Sequence, residues 1–212
     1  LKKVELKRNG KSSLIVTLNR NKSFNNHELS ISFEPTKKSK EEWIVFEGEC
    51  SSESVNRLKN DFPLLARDDR KNDIQIAIKT DSIAIKKGLI YAYLPTKQAS
   101  LLPLHINADF YPEPNRKSIN LSGGQHQQRW NELLINEASE IIASKLETMT
   151  KHIGHIEIYE LLLASWKARQ EEDPFNLYWE WIRDTIKDGA KVFLSSQDLS
   201  LIHISEPTRL GM

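Results

Sequence analysis

The apolar residues change their period once along this chain, near Ser122, and that change limits the folds open to it. Before it they alternate. Leu29, Ile31 and Phe33 are separated by Ser30 and Ser32, and Ile74, Ile76 and Ile78 repeat the pattern. A period of two commits a segment to a strand with one covered face; spacings of three and four commit it to a helix with one covered stripe. After Ser122 the second pattern takes over, through Trp130, Leu133, Leu134, Glu137, Ala138, Ile141, Ile142 and Leu146. The expected class is α+β: a mostly antiparallel sheet with few helices, followed by a helical segment. Residues 1–121 are expected to form the β-rich domain. Residues 122–198 should form a helical segment of the same or the next domain.

Local signals fill in this outline. Val4, Glu5 and Leu6 and residues 14–18 flank Asn9-Gly10, whose residues both tolerate positive φ, so a hairpin is predicted. Further strands are predicted at residues 43–46, 74–78, 90–94 and 104–110, the last ended by Pro112 and Pro114. Ser51 or Ser52 can cap a short helix over residues 51–61. A second long helix is predicted over residues 153–168, with Ile156, Tyr159, Leu163 and Trp166 inward. A third starts at Asp173-Pro174, with Phe175, Trp179, Ile182 and Ile186 on its apolar face, and ends at Gly189 before a short strand at residues 192–194.

Composition removes several function classes. The formal net charge is +1, which offers no electrostatic case for nucleic acid. Lys37, Lys38 and Lys40 adjoin Glu41 and Glu42 and read as a solvated loop. No segment approaches the roughly 20 apolar residues of a membrane span. Cys50 is the only cysteine, which excludes an internal disulfide and suits a reducing, cytoplasmic setting.

The polar residues that could carry chemistry are sparse. His152 and His155 have metal-ligand spacing but no Cys or third His nearby, so no metal site is expected. His105 and Asn107 alternate on one strand face, as buried or edge polar residues do. Glu157 and Glu160 read as solvent-facing helix residues. Most tryptophans fall at core spacings, whereas Trp181 lies off the face of Trp179 and could be exposed.

Two resemblances concern ATP. Leu121-Ser122-Gly123-Gly124-Gln125 resembles the signature loop of ABC-type ATPases, where a helix N-terminus and glycine backbone approach a phosphate. The partner motifs are missing: there is no GxxxxGK[ST] loop and no apolar run ending in Asp-Glu. A Ser N-cap followed by a glycine turn explains the same residues without a ligand.

The second resemblance covers more of the chain. LKKVELKRNG, the run LIYAYLPTKQASLLPLHINADFYPEPNRKSI, the WNELL that opens a helix, and DPFNLYWEWIR occur in the order found in sacsin-like and heat-shock-protein-90-like ATPases of the GHKL class. Ala108 departs from a frequent Gly. The resemblance implies an internal fragment of such an ATPase: a transducer-like region coupling ATP and magnesium binding in a preceding domain to conformational closure, with a chaperone-like role. The fragment itself is expected to bind neither. Its implied partners are that ATP-binding domain and a protein client. By position Arg116 is the residue implied to reach the γ-phosphate, with Asn115 and Lys117 beside it; a planar guanidinium suits phosphate oxygens. The alternative is a non-enzymatic protein-interaction module. Finally, LSLIHISEPTR resembles the translation of a transposase-type sequencing adapter, so residues 199–212 are expected to be a non-native tail.

Overall fold

In a computed structural model of the chain, the described residues are 2–8, 11–23, 26–34, 39–80, 87–123, 125–171, 174–190 and 192. Up to residue 40 the description covers backbone alone. Within these residues the chain forms one eight-stranded sheet and six helices, an α+β fold in which the long helices follow the strands. The strands are β1 (Lys2–Arg8), β2 (Lys11–Ser23), β3 (Asn26–Glu34), β4 (Ser39–Glu49), β5 (Asp73–Lys79), β6 (Leu89–Ala92), β7 (Leu94–Ala99) and β8 (His105–Ala108). The helices are α1 (Ser52–Asp61), α2 (Pro63–Arg67), α3 (His126–Ser144), α4 (Leu146–His152), α5 (His155–Ala168) and α6 (Leu177–Lys187).

The sheet order is β1-β2-β3-β4-β5-β8-β6-β7. Every neighbouring pair is antiparallel except β6 and β8. The predicted first hairpin forms, with Leu6 opposite Leu14 and Val4 opposite Val16; its Asn9-Gly10 turn lies outside the described residues. Parity then sorts the middle strands. Ile44 and Phe46, Ile74, Ile76 and Ile78, Ile90 and Ala92, and Ile106 and Ala108 are all buried on one face. Helix α3 packs there, and Ile141 lies so close to Gly48 that a Cβ at Gly48 would sit 2.5 Å from its side chain.

The β6–β8 part departs from the expected pattern. A single strand over residues 90–94 is not what forms. Tyr93 takes φ 59 and turns the chain, so β6 ends at Ala92 and β7 returns along it as an edge strand. Pro95 is tolerated there because an edge strand need not donate every N–H. From β7 the chain must then cross the start of β6 to reach β8 on its other side. It does so through residues 100–104, against Gly88. A Cβ on Gly88 would lie 1.6 Å from the Leu104 carbonyl oxygen, so only glycine fits. The crossing is tied by Gly88 N–H to Leu102 O (2.9 Å), Ser100 N–H to Gly88 O (3.1 Å) and Ser100 Oγ to Leu104 O (2.6 Å).

The helices correct several expectations. Ser51 does cap α1, its hydroxyl accepting the Ser54 N–H at 3.1 Å. The stripe from Trp130 to Leu146 breaks at Lys145 into α3 and α4. Helix α6 begins at Leu177 rather than at Pro174; a turn with bonds from Leu177, Tyr178 and Trp179 to residues three earlier precedes it. Asp173, proposed as its cap, lies outside the described residues. Gly189, at φ 100, closes α6, with Ala190 N–H reaching Thr185 O and Gly189 N–H reaching Ile186 O. Val192 is buried outside any strand, and residues 193–212, including the tail, lie outside the described residues.

The largest correction concerns α5. Its inward residues are Ile158, Leu161, Leu162, Ser165 and Ala168. Ile156, Tyr159 and Leu163, expected inward, are 72, 58 and 37% exposed. Both sets have helical spacing, because this segment is apolar nearly all round. Trp181 is also corrected: it is half-buried, its indole N–H held by Asn136 Oδ1 at 3.0 Å.

Candidate functional site

Residues 109–120 form a strap between β8 and α3, and two adjacent side chains at the start of α3 hold it. Trp130, fully buried, donates its indole N–H to Asp109 O at 2.9 Å. Asn131, equally buried, accepts the Tyr111 N–H (2.8 Å) and donates to Tyr111 O (2.9 Å) and Asn120 O (2.8 Å). A buried amide that meets three backbone groups clasps the two arms of the strap, which also bridge each other at Pro112 and Ile119. The Trp-Asn pair in WNELL therefore has a structural duty.

The N-terminal side of the strap is tied to the segment after α2. Asp109 pairs with Arg70 at 2.6 Å and accepts the Lys71 N–H at 3.0 Å. The Arg70 guanidinium lies 3.7 Å over the Tyr111 ring, and the Tyr111 hydroxyl donates to Asp68. Burial first, and the bond to Asp68 second, push the Tyr111 hydroxyl up to about 12, so it remains a donor near neutrality. At the other end, Lys97 N–H bonds Lys117 O at 2.9 Å, which covers the edge strand β7.

Between these anchors the strap turns at residues 113–118. Glu113 N–H bonds Ser118 O at 2.9 Å, and Arg116 N–H bonds Glu113 O at 2.8 Å. The Asn115 side chain accepts the Lys117 N–H at 2.7 Å, an Asx turn. Asn115, Arg116 and Lys117 are all exposed. Arg116 has φ 54, an uncommon conformation for a non-glycine residue. Its guanidinium reaches Ala92 O at 3.5 Å, and among the described residues it has no carboxylate in ion-pair range. Glu113 is instead engaged by Ser118 Oγ at 2.6 Å.

Ala92 leads into Tyr93, and with Tyr93 begins a feature the sequence reading missed. The sheet face opposite α3 carries a shallow depression of 290 Å³ lined by Trp43, Gln75, Tyr91, Tyr93, His105 and Asn107 among others. Trp43 stacks on His105 (5.3 Å, 26°), across the small Ala77 that is His105's register partner, and Tyr91 meets the same ring edge-on at 5.2 Å. An amide ladder crosses beside them: Gln75 Nε2 to Glu47 Oε1 (3.1 Å), Asn107 Nδ2 to Gln75 Oε1 (3.1 Å), and Tyr93 N–H to Asn107 Oδ1 (3.2 Å). His105 Nδ1 accepts the Leu89 N–H at 2.9 Å, which leaves the proton of the neutral ring on Nε2. Burial lowers its pKa, so the neutral ring is favoured. His105 and Asn107 were legible as one strand face; Trp43, Gln75, Tyr91 and Tyr93 belong to it only through the strand register.

The other candidate residues do not converge. Leu121 is half-buried against the core, and Ser122 and Gly123 are exposed, with Gly123 at φ 93 and nothing within 4 Å of its would-be Cβ. Gly124 lies outside the described residues. Ser122 is not the N-cap of α3; Gln125 holds that position without a side-chain bond. His152 and His155 are exposed, and no cluster of potential metal ligands occurs among the described residues. Cys50 is buried beside Glu137, and burial pushes its thiol up to about 12, the behaviour of a small core residue rather than a nucleophile. No described helix is long and apolar enough to cross a membrane. Comparison with protein-family models, with curated proteins and with solved structures finds no match to this chain.

Proposed function

We propose that this chain is the transducer region of a sacsin-like GHKL ATPase, passing ATP binding in a preceding domain into domain closure, in a chaperone-like role and a cytoplasmic setting. In this reading Arg116 contacts the γ-phosphate held by that other domain, Asn115 and Lys117 flank it, and ATP and magnesium are bound there rather than here. The observation that carries it is the strap. Its base is fixed by Trp130 and Asn131, and its exposed tip presents a cation with no carboxylate partner among the described residues. An arginine held this way can neutralise charge that develops on a leaving phosphoryl group. Conformational strain at φ 54 fits a residue positioned for a contact outside its own domain.

The test is turnover in the ATPase that carries the preceding domain. Arginine fingers contribute on the order of 10³-fold to rate. Arg116→Ala should lower kcat strongly with little change in ATP affinity, and Lys117→Ala should do less. Wild-type turnover in Arg116→Ala would assign the contact elsewhere. The second reading, a protein-interaction module without ATP, is favoured by the aromatic depression formed by Trp43, Tyr91, Tyr93 and His105. A protein client would be held there by stacking, so Trp43→Ala would abolish client binding and Arg116→Ala would leave it unchanged.

A further inference from the structure

In the depression on the open face of the sheet, the amide acceptors are engaged and several donors are not. Gln75 Oε1 already accepts from Asn107 Nδ2, and Asn107 Oδ1 accepts the Tyr93 N–H. Each amide nitrogen has spent one N–H, on Glu47 and on Gln75, and keeps its second without a partner among the described residues. The Nε2–H of the neutral His105 ring and the hydroxyl groups of Tyr91 and Tyr93 are also unpartnered there. The described lining includes no charged side chain. Its walls are rings: Trp43 and Tyr91 flank His105 at 5.3 and 5.2 Å, and Tyr93 stands 55% exposed at the rim. Ala77, the register partner of His105, makes a low floor between these taller side chains.

We infer that this depression binds an extended proline-rich peptide segment, its pyrrolidine rings against Trp43, Tyr91 and Tyr93 and its carbonyls accepting from His105 Nε2 and the spare amide N–H groups of Gln75 and Asn107. The inference rests on the second reading above, a protein-interaction module, and gives its partner a chemistry. A proline amide presents a carbonyl acceptor and has no N–H, which complements a site that keeps donors and has engaged its amide acceptors. Its ring is an apolar plate suited to aromatic walls. The polyproline II helix makes no internal hydrogen bonds and is populated before binding, so its carbonyls are free and little ordering entropy is lost. One turn of that helix advances about 9.3 Å. Trp43 and Tyr91, each just over 5 Å from His105, stand no more than two such steps apart, so prolines one turn apart can meet both rings. Other ligand classes fit less well. A quaternary ammonium would face donors and no carboxylate in the lining; a nucleotide would find no cation for its phosphate; a sugar brings as many donors as acceptors.

Titration of the full chain with acetylated decaproline amide, followed by nitrogen–proton NMR, tests this. A Kd on the order of 100 µM is expected, as for a shallow site with a few anchors. The Trp43 indole, the Gln75 and Asn107 amide and the Tyr93 backbone signals should shift; the Trp130 indole, buried under the strap, should not. Tyr93→Ala removes an exposed ring and should weaken binding about fivefold to tenfold. His105→Phe keeps a ring and loses the donor, so about threefold or more is expected. Thermal melts should show both variants folded. No shift at these signals up to about 1 mM peptide, or an affinity indifferent to both changes, would overturn the proposal. Equal binding of a Gly-Ser decapeptide or of a trimethyllysine peptide at the same signals would overturn the proline chemistry and leave the interaction-module reading standing. Failure of all three peptides to move these signals would count against both.

Discussion

Strand β5 and helix α5 are both rich in apolar residues, yet one revealed its buried face in the sequence and the other hid it. In β5, Ile74, Ile76 and Ile78 alternate with Asp73, Gln75, Ala77 and Lys79, and the isoleucines are the buried set. A strand has only two faces, and a shift by one residue exchanges them completely. In α5 the run from Ile156 to Trp166 is apolar nearly all round, broken by the two glutamates. Two stripes satisfy the helical spacing there, and the neighbours choose between them. The core, with α6 packed along α5, buries Leu161, Leu162 and Ser165 and leaves Ile156 and Tyr159 outside. A binary choice is readable from sequence when one option places polar groups inside; where both options bury apolar groups, tertiary contacts decide.

The hardest test of the sheet half is Gly88→Ala. The added methyl would stand 1.6 Å from a carbonyl oxygen of the β7–β8 crossing, and backbone cannot rotate away as a side chain can. The expected loss is about 4 kcal/mol or more, in the range reserved for overpacking with backbone displacement. Urea unfolding measures it. A loss below about 1 kcal/mol would mean the crossing loop yields freely and does not fix β8 beside β6.

Next comes Asn131→Ala, which strands the Tyr111 N–H and the Asn120 carbonyl, while Tyr111 O keeps the Asn120 N–H at 3.0 Å. Each unsatisfied buried group costs about 1–3 kcal/mol, so a total near 3 kcal/mol is expected after partial relaxation. If the strap carries Arg116 as proposed, this variant should also expose residues 109–120 to hydrogen exchange while β4 and β5 stay protected. Uniform loss of protection across the sheet would show that Asn131 supports the whole fold, not the strap in particular.

The α5 assignment itself is open to a paired measurement. Leu161 is 1% exposed and Leu163 is 37% exposed, two residues apart on one helix. Leu161→Ala should cost about 2–5 kcal/mol, as cavity-forming changes do, and Leu163→Ala less than about 1 kcal/mol in dilute solution. The reverse order would restore the stripe expected from spacing alone and remove the exposed face.

These residues also show what the chain makes legible. The α+β class, the first hairpin, the Ser51 cap and the Gly189 stop are local: each follows from periods or side-chain chemistry within a few residues. The break at Tyr93 is not, because nothing in a tyrosine announces φ 59; it sits where β7 turns back along β6, its N–H held by Asn107 Oδ1 of β8. The aromatic depression escaped for the same reason. Trp43, Tyr91 and His105 come from three strands, and only the register, with Ala77 small between them, sets the rings together. Arg116 stood out by its place after the last strand. Its clamps, Trp130 and Asn131, looked like an ordinary helix start until their partners were seen.

The smallest expected effect concerns pH and the open face of the sheet. Burial lowers the pKa of His105 below its ordinary 6.5, and protonating Nδ1 would also cost the bond from Leu89 N–H. The folded chain therefore takes up this proton less readily than the unfolded one. Between the lowered value and about 6.5 the unfolded state holds more protons, so stability must rise with pH across that window and fall as pH drops below 6.5. His105→Phe keeps a ring against Trp43 and Tyr91 but cannot be protonated. Urea midpoints recorded from about pH 5 to pH 8 should slope upward in the wild type and lose most of that slope in the variant. Equal slopes in the two proteins would place the titrating group elsewhere. They would also show that the imidazole is solvated in the folded chain, leaving the depression without the neutral Nε2–H donor argued for it.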